Sequence, residues 1–150
     1  MIQLERILVP TDFSECSERA RSYAVEIAKR FEAELHLLHA VPPIAIPAYM
    51  GYVPDELVEP KEGARKSLQQ WDTPALQDVK SVERVVVLGT PFVEIVRYAR
   101  EQNVDLIVMG THGHSGLTHA LIGSVAEKVV RKASCPVLTV RPEGHQFVMP

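Results

Sequence analysis

The 150-residue sequence has little cysteine and no run of positive charge. Its two cysteines, Cys16 and Cys135, lie far apart and form no CxxC pair, so neither a disulfide framework nor a zinc site is indicated. The formal net charge is −3. DNA-binding domains usually present a basic face, so we expect no nucleic-acid partner and no binding to an anionic membrane surface.

Long apolar runs are also missing. No stretch approaches the roughly 18 apolar residues of a membrane span. The start, residues 1–6, has an early acid and no apolar signal core, so we expect a cytoplasmic protein. Hydrophobic residues make up 46% and charged residues 23%, as in ordinary globular proteins. The length suits one domain over residues 1–150, with a loose tail from Pro142.

What the sequence does contain is an alternation of strand and helix patterns. Short apolar runs predict strands, and apolar residues at helical spacing predict the helices between them. The predicted strands are 4–9, 34–41, 82–88, 105–109 and 136–140, and the predicted helices are 14–31, 64–75, 91–103 and one from residue 124. This order predicts an α/β fold, an open, doubly wound parallel sheet with helices on both faces.

Cap residues refine the predicted helix starts. Either Asp12 or Ser14 can cap the first helix, and Asp12 with Glu15 resembles a capping box. Ser124 with Glu127 has the same spacing on the last helix. Pro74 either kinks the second helix or restarts it with Thr73 as the N-cap.

Residues 42–60 hold five of the 11 prolines, at positions 42, 43, 47, 54 and 60. Too little chain precedes this segment for it to link two domains. We interpret it as a loop or a lid.

Two segments should meet where a ligand can bind. In open α/β sheets, ligands bind beyond the carboxyl ends of the strands. Residues 10–12 follow the first strand, and a stretch with four of the eight glycines, residues 110–123, follows the fourth. Glycine permits a close approach of the backbone to a ligand, and a helix N-terminus favours an anion. Ser124 can either bind a phosphate or only cap its helix.

The glycine spacing is more specific than the glycine content. Gly110, Gly113, Gly123 and Ser124 match the pattern G-x2-G-x9-G-[ST]. With the segments 7–14, 105–113, 123–126 and 135–138, this pattern resembles the ATP-binding members of the universal stress protein family over nearly the whole chain.

The resemblance implies a Rossmann-like fold of the adenine nucleotide alpha hydrolase type, with strand order 3-2-1-4-5. It implies a stress or regulatory module that binds ATP, or another adenine nucleotide, with Mg²⁺ or Mn²⁺, and that is not a fast enzyme. The resemblance implies that Asp12 binds the metal ion, directly or through water. It also implies a homodimer that forms through the edge strand Val137–Val140. The implied nucleotide-binding residues are Pro10, Thr11, Asp12, Val41, Gly110, His112, Gly113, Gly123, Ser124 and Val125.

Two alternatives stay open. The loop between the last two signature glycines carries His114 and His119 but no Lys or Arg, which favours a dimeric interaction protein with an empty pocket. The other alternative is a metal-dependent ATPase. Its hydrolysis would be slow, because the Walker pattern GxxxxGK[ST] and its lysine are missing.

The histidines do not indicate a metal site of their own. His112, His114 and His119 lack the fourth ligand of a usual zinc site. His36 and His39 should lie on opposite faces of one strand and be hydrogen-bonded there.

Overall fold

The computed structural model of the protein describes residues 1–53, 59–113 and 122–142. Within these ranges the chain forms one parallel sheet in the order β3-β2-β1-β4-β5, so the predicted fold class and the implied strand order are confirmed. The strands are β1 (Arg6–Pro10), β2 (Glu34–Val41), β3 (Ser81–Leu88), β4 (Leu106–Gly110) and β5 (Val137–Val140).

The described helices are α1 (Glu15–Phe31), α2 (Pro60–Gln70), α3 (Pro91–Glu101) and α4 (Ser124–Lys132), with a short 3₁₀ helix at Pro74–Asp78. The helix predicted over 64–75 therefore lies four to five residues earlier in the structure. Helix α2 ends before Trp71, and the chain restarts after Thr73 with Pro74 in the first turn. Proline lacks an N–H and fits the start of a helix, so the restart is the correct alternative.

The order of the strands places the switch point of the sheet between β1 and β4. The chain runs from β1 to β2 and β3 on one side, then crosses to β4 and β5 on the other. The pairs Ile7–Leu106 and Leu8–Ile107 fix the register of β1 with β4. The loops that follow β1 and β4 therefore start next to each other, at the edge where open α/β sheets bind ligands.

Apolar residues fill both faces of the sheet. On one face Val9 and Leu37 pack with Ala20, Ala24 and Ala28 of α1, whose small side chains let the helix approach closely. On the other face Leu8, Leu38, Ile107 and Met109 pack with residues of α3 and α4 that include Ile95, Ala99, Ala126 and Val129. A fully buried side chain of this size contributes about 1.5–3 kcal/mol relative to an exposed one.

Both predicted capping boxes are wrong: the N-cap of α1 is Ser14, the alternative that the sequence offered, and not Asp12. Ser14 caps α1 and accepts a hydrogen bond from the Ser17 N–H at 3.3 Å. The N-cap of α4 is Gly123, not Ser124, which is the first helical residue. The Gly123 N–H bonds the Thr111 carbonyl at 2.5 Å, and this tertiary contact turns the chain into the helix one residue early.

The histidines of β2 face opposite ways, as predicted. His36 is buried and shares a 2.7 Å hydrogen bond with the hydroxyl of Tyr98 on α3. Burial, with a contribution from Glu83, raises the pKa of Tyr98. His39 points to the other side and contacts the Thr11 carbonyl.

Several residues singled out in the sequence lie in half-buried positions or outside the described ranges. Cys135 is half-buried, and this burial raises the pKa of its thiol. His114, His119, Pro54 and the tail 143–150 lie outside the described residues. None of the helices in the described ranges is long and apolar enough to cross a membrane.

Candidate functional site

A cavity of about 290 Å³ opens at the carboxyl edge of the sheet, over the switch point. Its size is at the lower end of the roughly 300–1,000 Å³ typical of small-molecule sites. Nine of the ten residues implied by the family resemblance line it: Pro10, Thr11, Asp12, Gly110, His112, Gly113, Gly123, Ser124 and Val125. Val41 is not among the lining residues, and its carbonyl instead accepts the Gly89 N–H at 2.9 Å.

The turn after β1 is held by contacts at every polar atom of Thr11. Its N–H donates to the Leu38 carbonyl at 2.8 Å, and its own carbonyl accepts from His39 Nδ1 at 2.7 Å. Its hydroxyl lies 3.0 Å from Ser17 Oγ and accepts the Phe13 N–H at 2.9 Å. Phe13 takes a left-handed backbone with φ of 64°, so the chain reverses sharply into α1.

This turn places the Asp12 carboxylate over the loop that follows β4. Oδ1 accepts the Ser14 N–H at 3.0 Å. A Cβ on Gly113 would collide with Oδ2, so any other residue here would displace the carboxylate from this position. The two loops thus meet through Asp12 and Gly113, as predicted.

Gly110 and Gly123 serve close packing elsewhere in the same loop. A Cβ on Gly110 would lie 2.7 Å from the sulfur of Cys16 in the first turn of α1. One on Gly123 would lie 2.8 Å from the Thr111 carbonyl oxygen. Each of the three signature glycines therefore avoids a different close contact. Gly113 avoids the Asp12 carboxylate, Gly110 avoids Cys16, and Gly123 avoids the Thr111 carbonyl.

The N-terminus of α4 faces the cavity, and its N-cap residue gives it no side-chain cap. Gly123 has no side-chain oxygen, and the first backbone bond of the helix runs from the Glu127 N–H to the Gly123 carbonyl at 2.9 Å. The amides of Ser124, Val125 and Ala126 precede that bond and have no carbonyl acceptor within the helix. All three residues line the cavity, where their N–H groups and the helix dipole favour a negative charge.

The rest of the wall is mainly apolar. It comprises Leu38, Ala40, Pro91, Ile95, Met109 and Ala126. An apolar wall with anion-binding amides at one end suits a ligand that carries a flat apolar ring and a phosphate.

The charges near the cavity are few. In the described part of the chain, the lining residues with titratable side chains are Asp12, His39 and His112. Two of the cations on α3 and α4 have acidic partners: Arg97 bonds Glu94 at 2.6 Å, and Arg131 bonds Glu127 at 2.6 Å.

A magnesium ion fits the donor set only as part of a nucleotide complex. No group of three metal-ligating side chains was found among residues 1–53, 59–113 and 122–142. Mg²⁺ in nucleotide sites typically takes one or two carboxylates, phosphate oxygens and water. The Asp12 carboxylate at the cavity meets that requirement.

Sequence reasoning missed several lining residues. They are Ser17, Leu38, His39, Ala40, Pro91, Ile95, Met109, Thr111 and Ala126. Most follow from topology, because they end β2 and β4 or begin α3 and α4. The position of His39 near the end of β2 follows in the same way, but its contact with Thr11 does not, because the two residues are 28 apart in the sequence.

Fold and site together define an α/β protein with a cavity at the switch point of its parallel sheet. The sequence pattern of the universal stress protein family matches residues 3–141, and the chain belongs to this family. The universal stress protein MJ0531 of Methanocaldococcus jannaschii is 37% identical over 142 residues, covering 91% of this chain and 82% of that protein.

Solved structures agree. The structure of MJ0577, a universal stress protein of Methanocaldococcus jannaschii, matches with a TM-score of 0.78 and 33% identity. The match covers 96% of this chain and 100% of that one. A universal stress protein solved in complex with cAMP has a TM-score of 0.70 and 26% identity, covering 93% of this chain and 98% of that one.

Proposed function

We propose that the protein binds an adenine nucleotide, ATP with Mg²⁺ or Mn²⁺, and acts as a nucleotide-responsive stress or regulatory module in the cytoplasm. The base and ribose lie against the apolar wall, beside Pro10 and Thr11. The phosphates lie at the N-terminus of α4, over Gly113. The cAMP complex of a family member supports an adenine nucleotide as the ligand class.

The observation that carries this proposal is the uncapped start of α4. Gly123 gives the helix no side-chain cap, and Ser124, Val125 and Ala126 line the cavity directly after it. A phosphate at this point accepts hydrogen bonds from backbone amides and is stabilised by the helix dipole. The dipole contributes ~0.3–1 kcal/mol at exposed sites and up to ~2 kcal/mol at partly buried ones.

Asp12 would hold the metal ion together with the phosphates. The ion supplies positive charge that offsets the phosphate charge when it is bound. Gly113 leaves the Asp12 carboxylate room at this position, and the hydrogen bond from the Ser14 N–H orients it.

We also propose a homodimer through the edge strand β5. In the described sheet β5 pairs with β4 alone, so its other edge can accept a second strand. Leu138 of this strand and Val130 of α4 are exposed apolar side chains, at 37% and 49% of their surface. Pairing with a second copy would satisfy the open edge.

Glycine-to-alanine variants test the nucleotide site. Gly113→Ala and Gly123→Ala put a methyl group against Asp12 and the Thr111 carbonyl, and we expect each to weaken binding of Mg²⁺–ATP ~tenfold or more. Gly63→Ala is the matched control, because a Cβ there meets nothing within 4 Å. Calorimetry with ATP, AMP and cAMP, with Mg²⁺ or EDTA, gives the affinities. No binding of any of them at millimolar concentration would refute the proposal.

A second candidate is a dimeric interaction protein that holds no nucleotide. The low positive charge of the cavity favours it, since the sequence from Gly110 to Glu127 contains no Lys or Arg. Mass spectrometry of the gently purified protein separates the two candidates, because only the first expects a co-purified adenine nucleotide.

A further inference from the structure

His39 contacts the binding turn from a neighbouring strand. Its Nδ1 lies 2.7 Å from the Thr11 carbonyl oxygen, while the ring lines the cavity. A carbonyl oxygen can only accept a hydrogen bond, so Nδ1 carries a proton. This holds for the neutral ring and for the protonated ring, which both keep the Nδ1–H donor in this arrangement.

The contact lies at the sharp turn between β1 and α1, where it adds to the other hydrogen bonds of Thr11. Thr11 is the first residue beyond β1, and Phe13 has a left-handed backbone. The His39 ring also packs on the Phe13 ring, with 4.5 Å between their centroids. A single side chain thus holds the turn on both sides of Asp12.

We propose that His39 is a positioning residue of the nucleotide site, which acts through its Nδ1–H bond to the Thr11 carbonyl to hold Asp12 over Gly113. The proposal rests on the function proposed above. In the neutral ring Nε2 is then an acceptor at a residue that lines the cavity.

Asparagine and glutamine substitutions distinguish the roles of the two ring nitrogens of His39. In His39→Asn the amide nitrogen takes approximately the place of Nδ1, whereas in His39→Gln it takes approximately the place of Nε2. We expect His39→Gln and His39→Ala to raise the Kd of Mg²⁺–ATP about five- to tenfold, and His39→Asn to stay within about twofold of the wild type.

The same strand offers a matched control. His36 is buried, whereas His39 is half-buried, and it also bonds a partner outside its strand, the Tyr98 hydroxyl at 2.7 Å, but it does not line the cavity. His36→Gln should leave the Kd within about twofold, although it loosens β2 to a comparable degree. Thermal unfolding of every variant confirms that binding is measured on folded protein.

The outcomes are distinct. Absence of nucleotide binding by the wild type would refute the proposed function and this inference together. Binding by the wild type with an unchanged Kd in His39→Gln would overturn the inference alone. An equal loss in His39→Asn and His39→Gln, or in His36→Gln, would also overturn it, because the effect would not then depend on the Nδ1 donor.

A measurement without nucleotide tests the same assignment. Nitrogen-15 NMR of the imidazole reports which ring nitrogen is protonated. We expect the neutral His39 ring to carry its proton on Nδ1. A proton on Nε2 of the neutral ring would overturn the inference.

Discussion

Helices α1 and α4 both begin beside the cavity, and their first turns are satisfied in opposite ways. At α1 the chain supplies its own acceptors, because Ser14 Oγ takes the Ser17 N–H and Asp12 Oδ1 takes the Ser14 N–H. At α4 the cap is Gly123, with no side-chain oxygen. A helix N-terminus is therefore available to an anion where its N-cap residue has no side-chain acceptor for the first backbone amides.

The largest change in nucleotide affinity is expected from removing the charge of Asp12, which lies between the starts of the two helices. Asp12→Asn keeps an oxygen that can accept the Ser14 N–H but removes the carboxylate charge. We expect Mg²⁺–ATP to bind roughly tenfold more weakly, because the metal loses its protein carboxylate. ATP in EDTA should bind at least as well as to the wild type, because a negative charge near the phosphates is gone.

Calorimetry of both nucleotide forms on both proteins measures this difference. The stability of Asp12→Asn should stay close to that of the wild type, as the acceptor remains. An equal change with Mg²⁺ and with EDTA would show that Asp12 does not act on the metal.

Exchanging serine for alanine at the two helix starts tests the comparison directly. Ser14→Ala should lower the free energy of unfolding by ~1 kcal/mol, the usual cost of losing an N-cap, and leave the nucleotide Kd unchanged. Ser124→Ala should do the reverse, with a Kd about fivefold higher and little change in stability, because its hydroxyl is not a cap.

Urea unfolding and calorimetry on the two variants read both quantities. The comparison fails if Ser14→Ala changes the Kd more than Ser124→Ala does. It also fails if Ser124→Ala costs as much stability as Ser14→Ala, because the serine would then act as a cap after all.

The sequence was sufficient for the parts of this comparison that depend on local patterns. It placed Ser14 before a helix and predicted that Asp12 and the glycine loop meet, since the carboxyl ends of parallel strands share an edge. The strand order came from the family resemblance. Local pattern predicted Ser124 as the cap of the last helix, whereas the cap is Gly123, whose N–H bonds the Thr111 carbonyl in a contact that the local pattern does not show.

The same limit applies to the residues that the sequence missed. His39 reaches Thr11 across strand pairing, and a single sequence holds no local sign of that contact. Pro74 left two outcomes open, and the packing of Leu76 into the core accompanies the restarted 3₁₀ helix. Tertiary contacts therefore set the details at places where the local pattern allowed more than one structure.

The smallest expected effect concerns the acidic side chains of the two first turns. Glu15 lies in the first turn of α1 and Glu127 in that of α4, where it bonds Arg131 at 2.6 Å. Glu127→Gln removes a negative charge near the open amides and releases an arginine. We expect a Kd for ATP about twofold lower at low ionic strength, and no difference at about 1 M salt, where the screening length is ~3 Å. Glu15→Gln makes the same charge change at the capped helix and should leave the Kd unchanged. Equal gains in the two variants would mean that general charge, and not the start of α4, attracts the phosphates.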